Sequence, residues 1–490
     1  MSDAEQTHTS GRLEVTIDAR ALDGTRMGTQ VHVLELVRAL ARTAGLRQRV
    51  LVRGEKIDRV TLELLGELPN TEILDACEVV AGTTRASAVF HRPVQAFSHE
   101  DVGLACDLGE RIVLSQLDLI AYENPGYFPD AEAYADYRRA ARHGMSAAEC
   151  VVVFSADTRA RLLEQDLAEG ERIRIVPPGL DHYSAAEPRR PVALDERVQS
   201  DFLLCLGADY THKNRVFALE LLAQLQARHD WQGELVFAGA HVPHGSSRRS
   251  EREWLDTHPD LRACVSDLGP VEEDEKAWLT AHSAAIVYPS LHEGFGLVPF
   301  ESGLQGVPCL FAATSSLAEG PIAHAATIVP GDPAQSAAAA YPLLVDPDAR
   351  AEHVRKLAEA ARGLTWERAA TAMVEIYREA ADTPVRVAAA LSRDAVQRER
   401  ELTGAHQEVV QMLIDERELV LRDYEALVAE VGAGRSLVGP HGSLPENLQR
   451  ALLALSARPA LRRPLYGLAA ALFAIARITA RALRRPFRRA

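Results

Sequence analysis

The 490-residue chain contains no stretch of about 18 uninterrupted apolar residues, so no segment reads as a helix that crosses a bilayer. Closely spaced cysteines are missing too. Cys77, Cys106, Cys150, Cys205, Cys264 and Cys309 are scattered through apolar surroundings, which excludes a disulfide framework or a paired-thiolate zinc site and leaves reduced core residues. The first residues, "MSDAEQTHTS", lack a basic segment followed by an apolar core, so no secretory signal is visible and a cytoplasmic location is expected. The body of the chain also lacks positive charge. The formal net charge is −15, and nine arginines with no acidic residue follow position 457, so the preceding part is more acidic still. Such a body argues against nucleic-acid binding, and the basic tail suggests a partner of its own.

What is present is a globular composition, 47% hydrophobic and 25% charged, in a chain long enough for two large domains and an extension. From about residue 12 to 375, short apolar runs such as "LEVTIDA", "CVVVFS", "IRIVPPG", "FLLCLGA", "ELVFAGA", "AAIVYPS" and "VPCLFAA" alternate with longer helical patterns, the rhythm of parallel strands and crossover helices. The proline- and charge-rich "SAAEPRRPVALDERVQS" separates an earlier set of units from a later one. The expected organisation is a Rossmann-like domain over 1–190, a second over 195–365, a return helix at 366–381, a long amphipathic helix at 385–432, a linker at 433–446 and a basic amphipathic tail at 447–490. Ligands bind beyond the carboxyl ends of strands in open parallel sheets, so the chemistry is expected in loops that follow strands, within a cleft between the two sheets.

The segment "HEGFGLVPFE" meets that expectation. It follows the strand pattern "AAIVYPS" and enters a helix with Pro299 in its first turn. Glu293 falls on the loop and Glu301 near the helix start, where the helix dipole and free amides favour an ionised carboxylate and an anionic ligand. Glu301 is then suited to accept hydrogen bonds from vicinal ribose hydroxyls, with Glu293 beside the next group of the ligand. Gly294 and Gly296 allow close approach of a ligand to the backbone. Alternatively, the glutamate only suits the helix dipole and the glycines only shape a loop.

The stretch "PSLHEGFGLVPFESGLQGVP" resembles the E-x7-E signature of the retaining nucleotide-sugar glycosyltransferases of the GT-B fold, family four, which include bacterial mannosyltransferases. The resemblance spans roughly residues 12–380. It implies two Rossmann-like domains facing a cleft, with Glu301 on the nucleotide ribose, Glu293 by the donor sugar, and the backbone of Gly294, Phe295, Gly296 and Leu297 meeting the sugar and diphosphate. "LCLGADYTHKN" resembles the family's glycine-then-lysine segment, which places Gly207, His212 and Lys213 at the diphosphate; a lysine there can offset the leaving phosphate without a metal. "TIDARALDGTRMGTQVHVLELVRALA" resembles the first strand, glycine loop and helix of the acceptor domain, which places Gly28 at the diphosphate. In "SQLDLIAYENP" the family's His-Asp pair is represented by Leu117 and Asp118, and Ala208 stands where many members carry arginine. His212, if protonated, would replace some of that charge, and Gln116 and His91 are candidate substitutes in the cleft, with a structural role as the alternative reading of each. Glu293, Lys213 and Asp118 are the expected catalytic groups. No metal or other cofactor is expected.

The implied reaction moves a sugar, with GDP-mannose or a related donor favoured, from a nucleoside diphosphate to an acceptor hydroxyl of a glycan or lipid-linked substrate, with retention. The competing reading is a non-catalytic scaffold of the same fold that acts through its C-terminal region. The helical stripe within 391–431 suggests a homo-oligomer contact or a solvated helix resting on the body, and the arginines of 458–490, beside an apolar run too short to span a bilayer, suggest an anionic membrane surface or, alternatively, docking on the protein's own acidic body.

Overall fold

The computed structural model describes residues 12–23, 28–79, 83–182, 187–196, 198 and 202–385, with a few further positions between 390 and 412. Seven parallel strands form the first sheet: β1 (Leu13–Asp18), β2 (Leu46–Val52), β3 (Thr71–Asp75), β4 (Ser87–Arg92), β5 (Gly109–Ser115), β6 (Cys150–Val153) and β7 (Ile173–Ile175), in the order β3-β2-β1-β4-β5-β6-β7. A second, five-stranded sheet contains β8 (Phe202–Leu206), β9 (Glu234–Ala238), β10 (Val265–Asp267), β11 (Ala285–Tyr288) and β12 (Cys309–Phe311), ordered β10-β9-β8-β11-β12. Both are doubly wound Rossmann-like sheets, and together they give the GT-B architecture. The inner strands are buried at most positions, and β6 (CVVV), β8 (FLLCL) and β11 (AIVY) are continuous apolar runs, as expected of strands covered by helices on both faces. In β1, for example, Val15 and Ile17 are fully buried, and Ile17 pairs in register with Val50 of β2.

Strand order reverses between β1 and β4 in the first sheet and between β8 and β11 in the second, and these switch points leave open crevices at the carboxyl ends. Two segments cross between the sheets, after β7 and before the helix Trp366–Asp382, and they are bound to each other. The Leu180 amide donates to the Leu364 carbonyl (2.9 Å), and the Trp366 amide donates to the Asp181 carboxylate (2.7 Å). Gly179 is required there, since a Cβ would lie 2.3 Å from the Trp366 nitrogen. The helix Trp366–Asp382 then buries Met373, Val374 and Tyr377 in the core of the first sheet. Of the expected amphipathic helix at 385–432 only scattered residues are described. The expected linker and basic tail lie outside the described residues, as do most of the candidate oligomer stripe and all of the candidate membrane segment.

The first switch point is closed from below by charge. Asp18, at the end of β1, meets Arg20 (2.8 Å) and Arg92, and Asp101 meets Arg20 (2.7 Å) and Arg92 (3.0 Å). All four are buried. Burial alone would raise the Asp18 carboxyl, but the Arg92 and Arg20 guanidiniums outweigh it and hold the pKa at about 2, against 3.8 for the free side chain. A carboxyl lowered on folding contributes stability that is present above its unfolded pKa and lost as pH falls through the folded one. The window here is from about pH 4 to about pH 2, and the loss is on the order of 2 kcal/mol. Asp18→Asn is expected to destabilise the protein at pH 7 by roughly 3–5 kcal/mol, because two buried arginines lose a partner. Urea unfolding should also show a shallower decline between pH 5 and pH 2 for Asp18→Asn than for the wild type.

Candidate active site

The loop after β11 is held by its neighbours before any ligand is considered. Glu293 donates its amide to the Ser315 hydroxyl (2.9 Å), and the Ser316 hydroxyl donates to the Glu293 carbonyl (3.0 Å). Gly296 caps the following helix, Leu297–Leu304, at φ +80°, a conformation that disfavours any side chain. The loop after β8 lies alongside. It ends in a short turn, Thr211–Lys213, and a left-handed Asn214 (φ +54°), and the Leu291 amide donates to the His212 carbonyl (2.8 Å). Gly207, at φ +118°, opens this loop next to the Lys213 stem.

These two loops place Lys213 Nζ 2.6 Å from Glu293 Oε1 and 3.2 Å from the Tyr288 hydroxyl. Burial pushes the Glu293 carboxyl up, but the Lys213 ammonium and the Tyr288 hydroxyl outweigh it, so its pKa lies below the usual carboxylate value. Asp118 responds the other way. Its burial and the nearby Glu293 charge raise it despite the Ile120 amide (2.8 Å) and Lys213. The site therefore holds one firmly ionised carboxylate, a second of raised pKa, and one ammonium group.

The Glu301 side chain, in the second turn of the helix Leu297–Leu304, has no hydrogen-bond or ion-pair partner among the described residues, which leaves its carboxylate able to accept from a ligand. Phe295 stacks on Phe300 (5.3 Å between centroids) and meets the edge of Phe154 from the first sheet (6.5 Å). Gly28 begins the helix Gly28–Ala41, and among the described residues nothing lies within 4 Å of where its Cβ would be. Asp118, Glu293, Gly294, His212, Lys213 and Gly207 are thus brought together, whereas Gly28 and Glu301 are not bonded to the Lys213–Glu293 pair.

Several of these positions have partners within the protein itself. The small size of Gly294 serves a protein contact, since a Cβ would lie 2.1 Å from the carbonyl of Leu117 across the cleft; likewise a Cβ on Gly296 would press on Leu317 (2.9 Å). His212 does not supply charge, because burial and the neighbouring Lys213 lower its pKa to about 4 and keep it neutral near pH 7. His91 is not in the cleft. It is fully buried, bonded to Ser115 (3.0 Å) and to Tyr377 (2.7 Å) of the helix Trp366–Asp382, and Gln116 is likewise buried, donating to the Asp118 carbonyl (2.7 Å). A guanidinium does lie near Ala208, from Arg215, but it is fully buried and donates to the Gly207 carbonyl (2.7 Å), bracing the loop from below.

Three residues that join the domains carried no linear signal. Tyr127 packs its ring on Gly245 and bonds to Thr211 (3.1 Å) and His212 (2.8 Å). Arg161 pairs with Glu123 and meets His292 (3.1 Å). The Glu319 carboxylate accepts from the amides of Ala156 (3.1 Å) and Asp157 (2.6 Å) at the start of the helix Ala156–Glu164, where the dipole favours it. "ENPGYFPD" announces a turn, but nothing in it says that Tyr127 contacts a residue 85 positions later.

Residues 130–373, about half of the chain, match the family model described as a family 4 glycosyltransferase in conflict systems. The chain carries a family 4 glycosyltransferase domain. This glycosyltransferase is 27% identical over 407 residues to the D-inositol 3-phosphate glycosyltransferase of Acidothermus cellulolyticus, covering 73% of this chain and 86% of that one. It is 29% identical over 245 residues to the protein of the same name from Frankia alni, covering 47% of this chain and 58% of that one. Among solved structures, its fold resembles the sucrose-phosphate synthase of Thermosynechococcus elongatus, with TM-score 0.56, 19% identity, 75% of this chain and 99% of that one. It also resembles Anabaena HepE in complex with UDP, with TM-score 0.54, 15% identity, 75% of this chain and 100% of that one. Among the described residues no helix is long and apolar enough to cross a membrane.

Proposed function

We propose that the glycosyltransferase moves a sugar from a nucleoside-diphosphate sugar to an acceptor hydroxyl, with retention of anomeric configuration. The observation that carries the reading is the Lys213–Glu293 pair, held by the loops after β8 and β11 at the switch point of the second sheet. Heterolysis of the glycosyl–phosphate bond leaves the diphosphate with one more negative charge than it carries in the donor, and the compact Lys213 ammonium stands ready for it without a metal. Glu293 remains ionised and can face positive charge that develops on the departing sugar. The second-turn carboxylate of Glu301 takes the ribose hydroxyls. The leaving phosphate itself serves as the base for the acceptor hydroxyl, so no protein nucleophile is invoked.

The relatives named for D-inositol 3-phosphate make a small polyol phosphate the first acceptor class to try, ahead of lipid-linked glycans. The HepE complex with UDP supports uridine donors alongside guanosine ones. The test is a panel of UDP- and GDP-sugars, read by nucleoside diphosphate release with and without acceptor. Release from none of them would overturn the proposal, and an inverted product would overturn retention. Activity is expected to survive chelation; its abolition by chelator and rescue by magnesium would place a cation at the diphosphate instead. Glu301→Ala is expected to weaken nucleotide binding by about 1.5–3 kcal/mol, the cost of losing a charged hydrogen-bond partner, as measured by calorimetry; unchanged affinity would remove the ribose assignment.

A further inference from the structure

Tyr127, on the first domain, reaches into the donor loops of the second. Its ring lies where any side chain at residue 245 would be, since a Cβ on Gly245 would come within 2.1 Å of it, and it rests 5.1 Å from the ring of Tyr210. Its phenol oxygen has three neighbours on the turn that carries Lys213: the Thr211 hydroxyl (3.1 Å), the His212 amide (3.2 Å) and His212 Nδ1 (2.8 Å). The amide can only donate. A neutral imidazole has one bare and one protonated nitrogen. Between a phenol and an imidazole the stronger acid is the phenol and the stronger acceptor is the imidazole nitrogen, so the short contact is best made as phenol O–H donating to a bare Nδ1. The imidazole proton then resides on Nε2, which has no hydrogen-bond partner among the described residues.

From this geometry we infer that Tyr127 is a positioning residue of the donor site: it holds His212 in the Nε2–H tautomer and offers that N–H, beside the Lys213 ammonium, to the diphosphate of the donor. Because Tyr127 belongs to the first domain and His212 to the second, the N–H is set only while the domains are closed on each other. This ties the recognition of the leaving group to cleft closure through one phenol. Neutral His212 then contributes as a hydrogen-bond donor, which is the role left to it once burial has removed its charge. The inference rests on the nucleotide-sugar reading of the site.

The experiment compares the full-length wild type with Tyr127→Phe, His212→Ala and the double variant. UDP and GDP binding are read by calorimetry, and nucleoside diphosphate release is read with the donor that the panel identifies. Tyr127→Phe keeps the ring on Gly245 and removes only the phenol. It is expected to weaken nucleotide binding about fivefold and to lower kcat about tenfold, and to add less than twofold in the His212→Ala background. His212→Gln, whose amide nitrogen replaces Nε2 and needs no tautomer to be set, should likewise be insensitive to the added Tyr127→Phe. Equal losses from Tyr127→Phe with and without His212 would show that the phenol acts elsewhere, and no loss in either would overturn the inference. A wild type that binds neither nucleotide and releases neither from a sugar would overturn the donor reading itself, a failure distinct from these.

Discussion

Lys213→Ala is expected to lower turnover by at least about 100-fold, the cost of removing one preorganised group that stabilises charge in a transition state. Among the described residues the ammonium is the one cationic side chain that contacts Glu293 directly, at 2.6 Å, within a largely buried pair. Its removal therefore has two effects. The diphosphate loses its counter-charge, and Glu293 becomes a buried carboxylate without a direct ion-pair partner, so its pKa, now held down chiefly by Lys213, should rise toward and above the usual value. Activity should fall at all pH values, and the residual activity should acquire a new dependence on an ionising carboxyl. Lys213→Arg should recover only part, because a planar guanidinium does not reproduce a point charge in this space. Near-wild-type kcat in Lys213→Ala, measured with a verified donor, would remove the lysine from the site.

Gly294→Ala is expected to lower turnover by more than tenfold for a steric reason. The new methyl group would lie 2.1 Å from the Leu117 carbonyl oxygen and 3.1 Å from the Asp118 Cβ, and neither a backbone carbonyl nor a Cβ is a flexible side-chain end that can move away. Relief requires a shift of the loop that carries Glu293 or a wider cleft, and overpacking of this kind costs typically 1–3 kcal/mol. A wider cleft would also withdraw Tyr127 from His212. Gly66→Ala, at a helical position with nothing within 4 Å, is the control and should be close to neutral. If Gly294→Ala retained full turnover, the Leu117–Gly294 approach would not be part of the working conformation.

Leu117 bears on how the site differs from the family pattern that the sequence resembles. Its side chain is buried in the core of the first sheet and its carbonyl meets Gly294, so this position offers the cleft a backbone surface where a histidine was expected. The polar side chain at the donor loops comes instead from His212, supported by Tyr127.

The sequence by itself determined seven of the twelve strands (β1, β6, β7, β8, β9, β11 and β12), the presence of two parallel sheets, and the loops in which polar groups would gather. Those properties are local: aliphatic runs of strand length, glycine and proline at turns, and Glu293, Glu301 and Lys213 just after strands can all be read without knowing what lies across from them. Only the tertiary structure decided which groups face each other and which are charged. His91 and His212 are both cleft candidates in the sequence, yet one is sealed against Tyr377 in a core and the other bonds to Tyr127 at the cleft. Gly294 reads as a space for ligand, yet it is a space for the Leu117 carbonyl. The reason is that burial, hydrogen-bond partners and charge state depend on residues far apart along the chain, 85 positions for Tyr127 and His212 and 286 for His91 and Tyr377, and a linear pattern carries no distance between them.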